Sequence, residues 1–325
     1  MTRSWLDIAE RGTVLGIRLL VFAATLFGRG AARFILKPVI FYYVLFHGTA
    51  RRASQAYLRR VVGRASFGLT YRHFLNFAEV ALDRLYFLRG DLRPFKVGSD
   101  GFDHLRRLRE EKRGAILLGA HVGSFEAMRA LAGNKNLQVN ILTYRGNAKK
   151  LNSVLHSLNP SAAARFIEIA PGEVDSILRV KELVEAGEVV AILGDRADLD
   201  GKPAEVDFFG GKARFPTSPY ALAAILKCPI FLTFNLYRSP DRYDCFTEPF
   251  VERLELPRGD RERALQAFAQ RYASRVEHYC RLEPLNWFNF YGFWSADEGP
   301  QAGPGSAVDR GGPPALAGGG HDRAV

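Results

Sequence analysis

From about residue 100 onward, short apolar runs and amphipathic stretches take turns along the chain. GAILLGA (114–120) reads as a buried strand, and so do LQVNILTY (137–144), ARFIEIA (164–170), EVVAILGD (188–195) and PIFLTFNLYR (229–238). Between them, 101–112, EAMRALAG (126–133), AKKLNSVLHSL (148–158), VDSILRVKELVEAG (174–187) and SPYALAAILKC (218–228) carry the spacing of helices. RERALQAFAQRYASRVEHYCRL (261–282) adds a long one. Alternation of this kind predicts an α/β domain with a largely parallel central sheet flanked by helices.

The pattern differs upstream. ARRASQAYLRRVVG (50–63) and TYRHFLNFAEVALDRLYFL (70–88) are basic and helical in period. VLGIRLLVFAATLF (14–27) and FILKPVIFYYVLF (34–46) are apolar, and each is shorter than the roughly 20 residues that span a bilayer. They predict membrane-seated or interfacial helices, with Arg29, Arg33, Lys37, Arg51, Arg52, Arg59 and Arg60 facing anionic headgroups on the cytoplasmic side. A helical subdomain with its own apolar core fits the same stretches. The expected organisation is membrane-associated helices over 1–50, an α/β domain over 51–297, and a disordered Gly/Pro/Ala-rich tail over 298–325.

Composition narrows this picture little. The chain has 325 residues and 47% hydrophobic content, enough for a sizeable core. Its net charge of +11 favours acidic partners: anionic lipid, an acidic carrier protein, a phosphorylated cofactor or nucleic acid. No recognition motif supports nucleic acid. The 3 cysteines, Cys228, Cys245 and Cys280, have no metal or redox spacing and are expected to be buried thiols in a reducing compartment.

Three places gather chemistry. In GAILLGAHVGSFEAM, His121 stands at the carboxyl end of a strand, where open α/β sheets hold their ligands. Glu126 lies in the first turns of the next helix, from which it can reach back to the imidazole, leaving the other ring nitrogen to take a proton from a hydroxyl. A histidine at a helix start is the structural alternative. LTYRGN ends the next strand with Tyr144 and Arg145, and an arginine there suits a phosphate. Finally, Asp195 and Arg196 end a further strand, and a loop through FFGG (208–211), including Gly210, reaches Thr217 before the next helix.

In that order and spacing, H-x-x-x-x-E after a buried strand, Y-R, G-D-R, F-F-G-G and P-T resemble the lysophospholipid acyltransferase superfamily, and within it the lipid A late acyltransferase branch. The resemblance implies an enzyme that moves an acyl chain to a hydroxyl of a membrane lipid at the cytoplasmic face of a bacterial inner membrane. His121 matches the general base and Glu126 the acid that orients it. Tyr144, Arg145, Asp195, Arg196, Gly210 and Thr217 fall on the substrate-binding blocks. The donor would be a thioester on acyl carrier protein or coenzyme A, with no metal or redox cofactor. Two rival readings use the same residues: a thioesterase that activates water instead of an alcohol, and a non-catalytic membrane protein that binds lipid or acyl carrier. The chain departs from the resembled pattern twice. Arg196 follows Asp195 where glutamine is common, and the aromatic PLNWFNFYGFW (284–294) replaces a basic closing segment. That segment suits an acyl channel, a membrane interface or core packing equally.

Overall fold

A computed structural model describes residues 22–144, 166–169, 174–196, 202–257 and 259–294. After a helical run at 22–26, three helices precede the sheet: α1 (Gly28–Phe46), α2 (Gly48–Val62) and α3 (Phe67–Leu88). There follow β1 (Lys96–Asp100), α4 (Phe102–Glu110), β2 (Ala115–Gly123), α5 (Phe125–Asn134), β3 (Val139–Tyr144), β4 (Phe166–Ile169), α6 (Val174–Glu185) and β5 (Val189–Leu193). The chain continues through β6 (Ala204–Phe208), β7 (Gly211–Phe215), α7 (Ser218–Leu226), β8 (Ile230–Arg238), β9 (Arg242–Val251) and α8 (Arg261–Leu282). Seven strands form one sheet in the order β1-β9-β8-β2-β5-β3-β4, parallel everywhere except between β8 and β9. The predicted α/β architecture is borne out.

The central strands show why the apolar runs are continuous. Ile116, Leu118, Ala120 and Val122 of β2 enter the core with α7, α8 and the β6–β7 hairpin. Ala115 and Leu117 enter the opposite core with α4 and α5. Burial on both faces leaves no room for alternation. Four strands of the structure lie outside the predicted set. β9 carries Asp244 and Glu248, whose charges are met by Arg242 at 2.9 Å and Arg275 at 2.7 Å, so its polarity disguises a largely buried strand. β6 and β7 form an antiparallel hairpin where a loop was expected. Ala204, Val206 and Phe208 face in while Glu205 and Asp207 face out, a short period-two signal. β1 is a short edge strand.

The amino-terminal helices are docked, not separate. Ala32, Leu36, Ile40 and Val44, each four residues on, bury one stripe of α1 against Phe74, Ala78, Leu82 and Leu85 of α3. Beside it, Arg29 grips the fully buried Asp83 through two bonds of 2.6 and 2.7 Å, and Asp83 also accepts from the Tyr243 hydroxyl at 2.7 Å. Arg33 meets the buried Glu79, which accepts from Tyr237 at 2.6 Å. This corrects the expectation that Arg29 and Arg33 face lipid headgroups: both are spent on carboxylates of α3. The opposite stripe of α1 remains apolar and open, with Phe34 72% and Phe46 67% exposed and Phe41, Tyr42 and Leu45 beside them. Among the described residues no helix is long and apolar enough to cross a membrane. Most of the first apolar stretch, the 148–158 helix and the 298–325 tail lie outside the described residues.

Candidate active site

The parallel neighbours β2, β5 and β3 bring three carboxyl ends side by side. His121 is on the first, Asp195 and Arg196 follow the second after Gly194, and Tyr144 is the last residue of the third. Arg145 lies outside the described residues.

His121 is aimed by an irregularity. Gly119 pairs with Thr233 of β8 and Gly123 pairs with Asn235, so β2 spends four residues where β8 spends two. The surplus bulges out of the ladder, and such bulges re-aim side chains. Gly123 closes the bulge at φ +66°, and a Cβ there would come within 1.8 Å of the Asn235 carbonyl oxygen. Only glycine fits. The bulged backbone finds new partners in the aromatic segment. Phe288 N–H donates to the His121 carbonyl at 2.8 Å, Gly123 N–H donates to the Asn286 carbonyl at 2.8 Å, and Val122 pairs with Trp287. Ser124 then caps α5, accepting from the Ala127 amide.

The imidazole meets a carboxylate, but it is not the expected one. His121 Nδ1 donates to Asp195 Oδ1 across 2.7 Å, while Glu126 lies 2.7 Å from the Arg84 guanidinium of α3. The reason is geometric: the bulge turns the ring toward the end of β5, and Glu126, in the first turn of α5, faces α3. Glu126 still acts on His121 through its charge, less strongly than burial, Arg196 or Asp195.

Asp195 has no exposed surface. Its Oδ2 accepts from the His121 amide at 3.1 Å, Trp287 Nε1 at 3.0 Å and Asn289 Nδ2 at 2.8 Å. Burial alone would raise its pKa; the charge and hydrogen bond of His121, then Arg196, bring it down to about 2. Burial, with Arg196 next, lowers the His121 pKa below 6.5 against the pull of Asp195. At neutral pH the ring is therefore neutral, with its proton on Nδ1 and a lone pair on Nε2. The His121 side chain keeps 24% of its surface open. Together these features give a proton acceptor at the mouth of the sheet.

A family model described as bacterial lipid A biosynthesis acyltransferase matches residues 81–295, a span that takes in the whole sheet, His121, Asp195 and the aromatic segment. The chain belongs to that family. It is accordingly an acyltransferase that acts on a lipid. No curated protein shows significant similarity to it.

In this acyltransferase the remaining expected residues fall into two groups. Arg196 is in the site: its Nε donates to Asn289 Oδ1 at 2.9 Å, its Nη2 reaches the Phe288 carbonyl at 3.4 Å, and its guanidinium lies 5.9 Å from the Tyr291 ring centre. Gly210 turns the β6–β7 hairpin at φ +72°, and the Thr217 hydroxyl donates to the Lys202 carbonyl at 3.2 Å. Among the described residues neither is a hydrogen-bond partner of His121 or Asp195. The aromatic segment proves to be core: Trp287 and Trp294 are buried, and Trp294 Nε1 donates to the Phe208 carbonyl at 2.8 Å. Trp287, Asn289 and Arg84 are the contributors that sequence reasoning missed. Two asparagines within an aromatic run were the available signal, since a buried amide must find partners.

Proposed function

We propose that the acyltransferase moves an acyl chain from a thioester to a hydroxyl of a membrane lipid, with His121 as general base. The observation that carries this reading is the 2.7 Å bond from His121 Nδ1 to a buried, ionised Asp195, which leaves Nε2 free at the open side. Nε2 takes the hydroxyl proton as the oxygen attacks the thioester carbonyl. The tetrahedral oxyanion collapses, the carbon–sulfur bond breaks, and the imidazolium returns its proton to the leaving thiolate. Ester and thiol are the products, and the cycle as written needs no cofactor. Asp195 stabilises the imidazolium directly. Glu126 adds negative charge nearby while held by Arg84.

Arg196 and Tyr144 stand on or beside the same sheet edge, and Arg145 follows Tyr144 in the sequence, a set of residues suited to an acceptor or donor phosphate. Acyl carrier protein and coenzyme A are both acidic donors that match a net charge of +11. The exposed apolar stripe of α1 supports seating on a membrane surface, which we take to be the cytoplasmic face of the inner membrane.

The test is transfer of label from radiolabelled acyl carrier protein to extracted bacterial lipid, with free fatty acid counted in parallel. Wild type is expected to label a lipid, and folded His121→Ala to lose about a thousandfold of the rate. Free acid as the sole product would make the enzyme a thioesterase. Undiminished transfer by His121→Ala would remove the histidine from the mechanism.

A further inference from the structure

Asp195 is a buried carboxylate, and a buried carboxylate orients a histidine only if its own orientation is fixed. Oδ1 takes the His121 bond, and three N–H groups converge on Oδ2. One is the His121 amide. The other two, Trp287 Nε1 and Asn289 Nδ2, come from a segment more than ninety residues away in sequence. Asn289 is 1% exposed and Trp287 fully buried, so water does not replace either donor.

Asn289 does two things at once. Its amide nitrogen donates to Asp195 at 2.8 Å, and its amide oxygen accepts from Arg196 Nε at 2.9 Å. An aspartate would set a second carboxylate against Asp195, and a leucine would serve neither neighbour. Trp287 is held in turn, because its carbonyl accepts from His73 Nε2 at 2.8 Å, and His73 Nδ1 accepts from the Ser54 hydroxyl at 2.9 Å. All of Ser54, His73 and Trp287 are buried.

We propose that Asn289 and Trp287 are positioning residues of the His121–Asp195 pair, with Asn289 setting Arg196 in the same stroke. This rests on the reading of His121 as the base. Neither residue touches the reacting atoms; each holds Asp195 so that His121 keeps its proton on Nδ1.

The experiment uses the full chain labelled with ¹⁵N-histidine. The chain has 7 histidines, and the His121 resonances are those lost in His121→Gln. Ring-nitrogen shifts report the tautomer across a pH series, and kcat and KM are measured with the acyl-carrier-protein and lipid assay. The groups facing the pair are Arg196, Glu126 with Arg84, and Tyr272 and Cys280 of α8, all unchanged in the variants. Wild type should show the Nδ1–H tautomer. Asn289→Leu should raise the Nε2–H tautomer to a comparable share and lower kcat at least tenfold, with any change in KM traceable to the loosened Arg196. Trp287→Phe, which removes one N–H and keeps most of the ring, should move both in the same direction by less.

An unchanged His121 tautomer in folded variants overturns the proposal, as does a kcat loss without a tautomer change. Loss of the fold in both variants overturns it too, since the two donors would then be core supports. A tautomer shift in a protein with no transferase activity leaves the positioning in place and removes the acyl-transfer reading instead.

Discussion

Arg196 donates through Nε to Asn289 Oδ1 across 2.9 Å. The bond joins the two places where this chain departs from the pattern it resembles: an arginine after Asp195, and an aromatic segment at 284–294 in place of a basic one. They form one structural unit. The Phe288 carbonyl and the Tyr291 ring complete the surroundings of the guanidinium. The positive charge is thereby set beside His121, where it opposes protonation of the ring.

That placement makes the activity sensitive to Arg196 in a definite direction. In the proposed mechanism the working base is the neutral ring, so the rate should hold above the His121 pKa and fall as pH drops through it. Burial and then Arg196 lower that pKa, so wild type should stay active below pH 6.5. Arg196→Gln removes the lowering influence that ranks next after burial. Its acid limb is expected to move to higher pH in a kcat/KM profile, and an unmoved limb would contradict the electrostatic role.

Gly123→Ala tests the bulge. The added methyl has both a positive φ and the Asn235 carbonyl against it. We expect a loss of at least about 2 kcal/mol in urea denaturation, beyond the usual cost of alanine at positive φ. Activity should fall further than stability, because His121 lies two residues away on the same bulge.

The attachment of α1 depends on buried charge. Asp83→Asn leaves Arg29, whose side chain is 11% exposed, without its carboxylate. Removing one partner of a buried pair costs about 3–5 kcal/mol, whereas Arg29→Met with Asp83→Leu should cost clearly less when Tyr243→Phe also removes the hydroxyl that Asp83 accepts. Denaturation midpoints of the two variants give the comparison. Equal losses would mean that packing, not charge, fastens the helix.

The open stripe of α1 predicts lipid affinity. Phe34→Ser, Phe41→Ser and Phe46→Ser together remove three exposed rings from one helix. Partition onto vesicles containing anionic lipid should fall well over tenfold, since each ring that enters the interface contributes on the order of 1 kcal/mol or more. Flotation assays measure this directly, and unchanged partition would place the membrane contact elsewhere.

Much of the fold was legible because burial writes itself into local pattern. Strands buried on both faces must be continuously apolar, and amphipathic helices must repeat every three to four residues, so β2, β3, β4, β5, β8 and most described helices followed from period alone. β9 escaped because its charged residues are neutralised in place, Asp244 by Arg242 of the same strand and Glu248 by Arg275 of α8. The β6–β7 hairpin escaped because five residues of alternation between turn-forming residues are a faint signal.

The site divides the same way. The sequence by itself determined that His121, Tyr144 and the Asp195–Arg196 pair stand at or just past the carboxyl ends of strands, since that end is marked where an apolar run stops. Only the tertiary structure decided which carboxylate His121 meets. Glu126 is five positions away and Asp195 is 74, yet the parallel pairing of β2 with β5 and a bulge after Gly119 bring His121 to Asp195. Local periodicity records how deeply a residue is buried. Which distant segment lies against it depends on strand order and register, and these are settled only when the whole core packs.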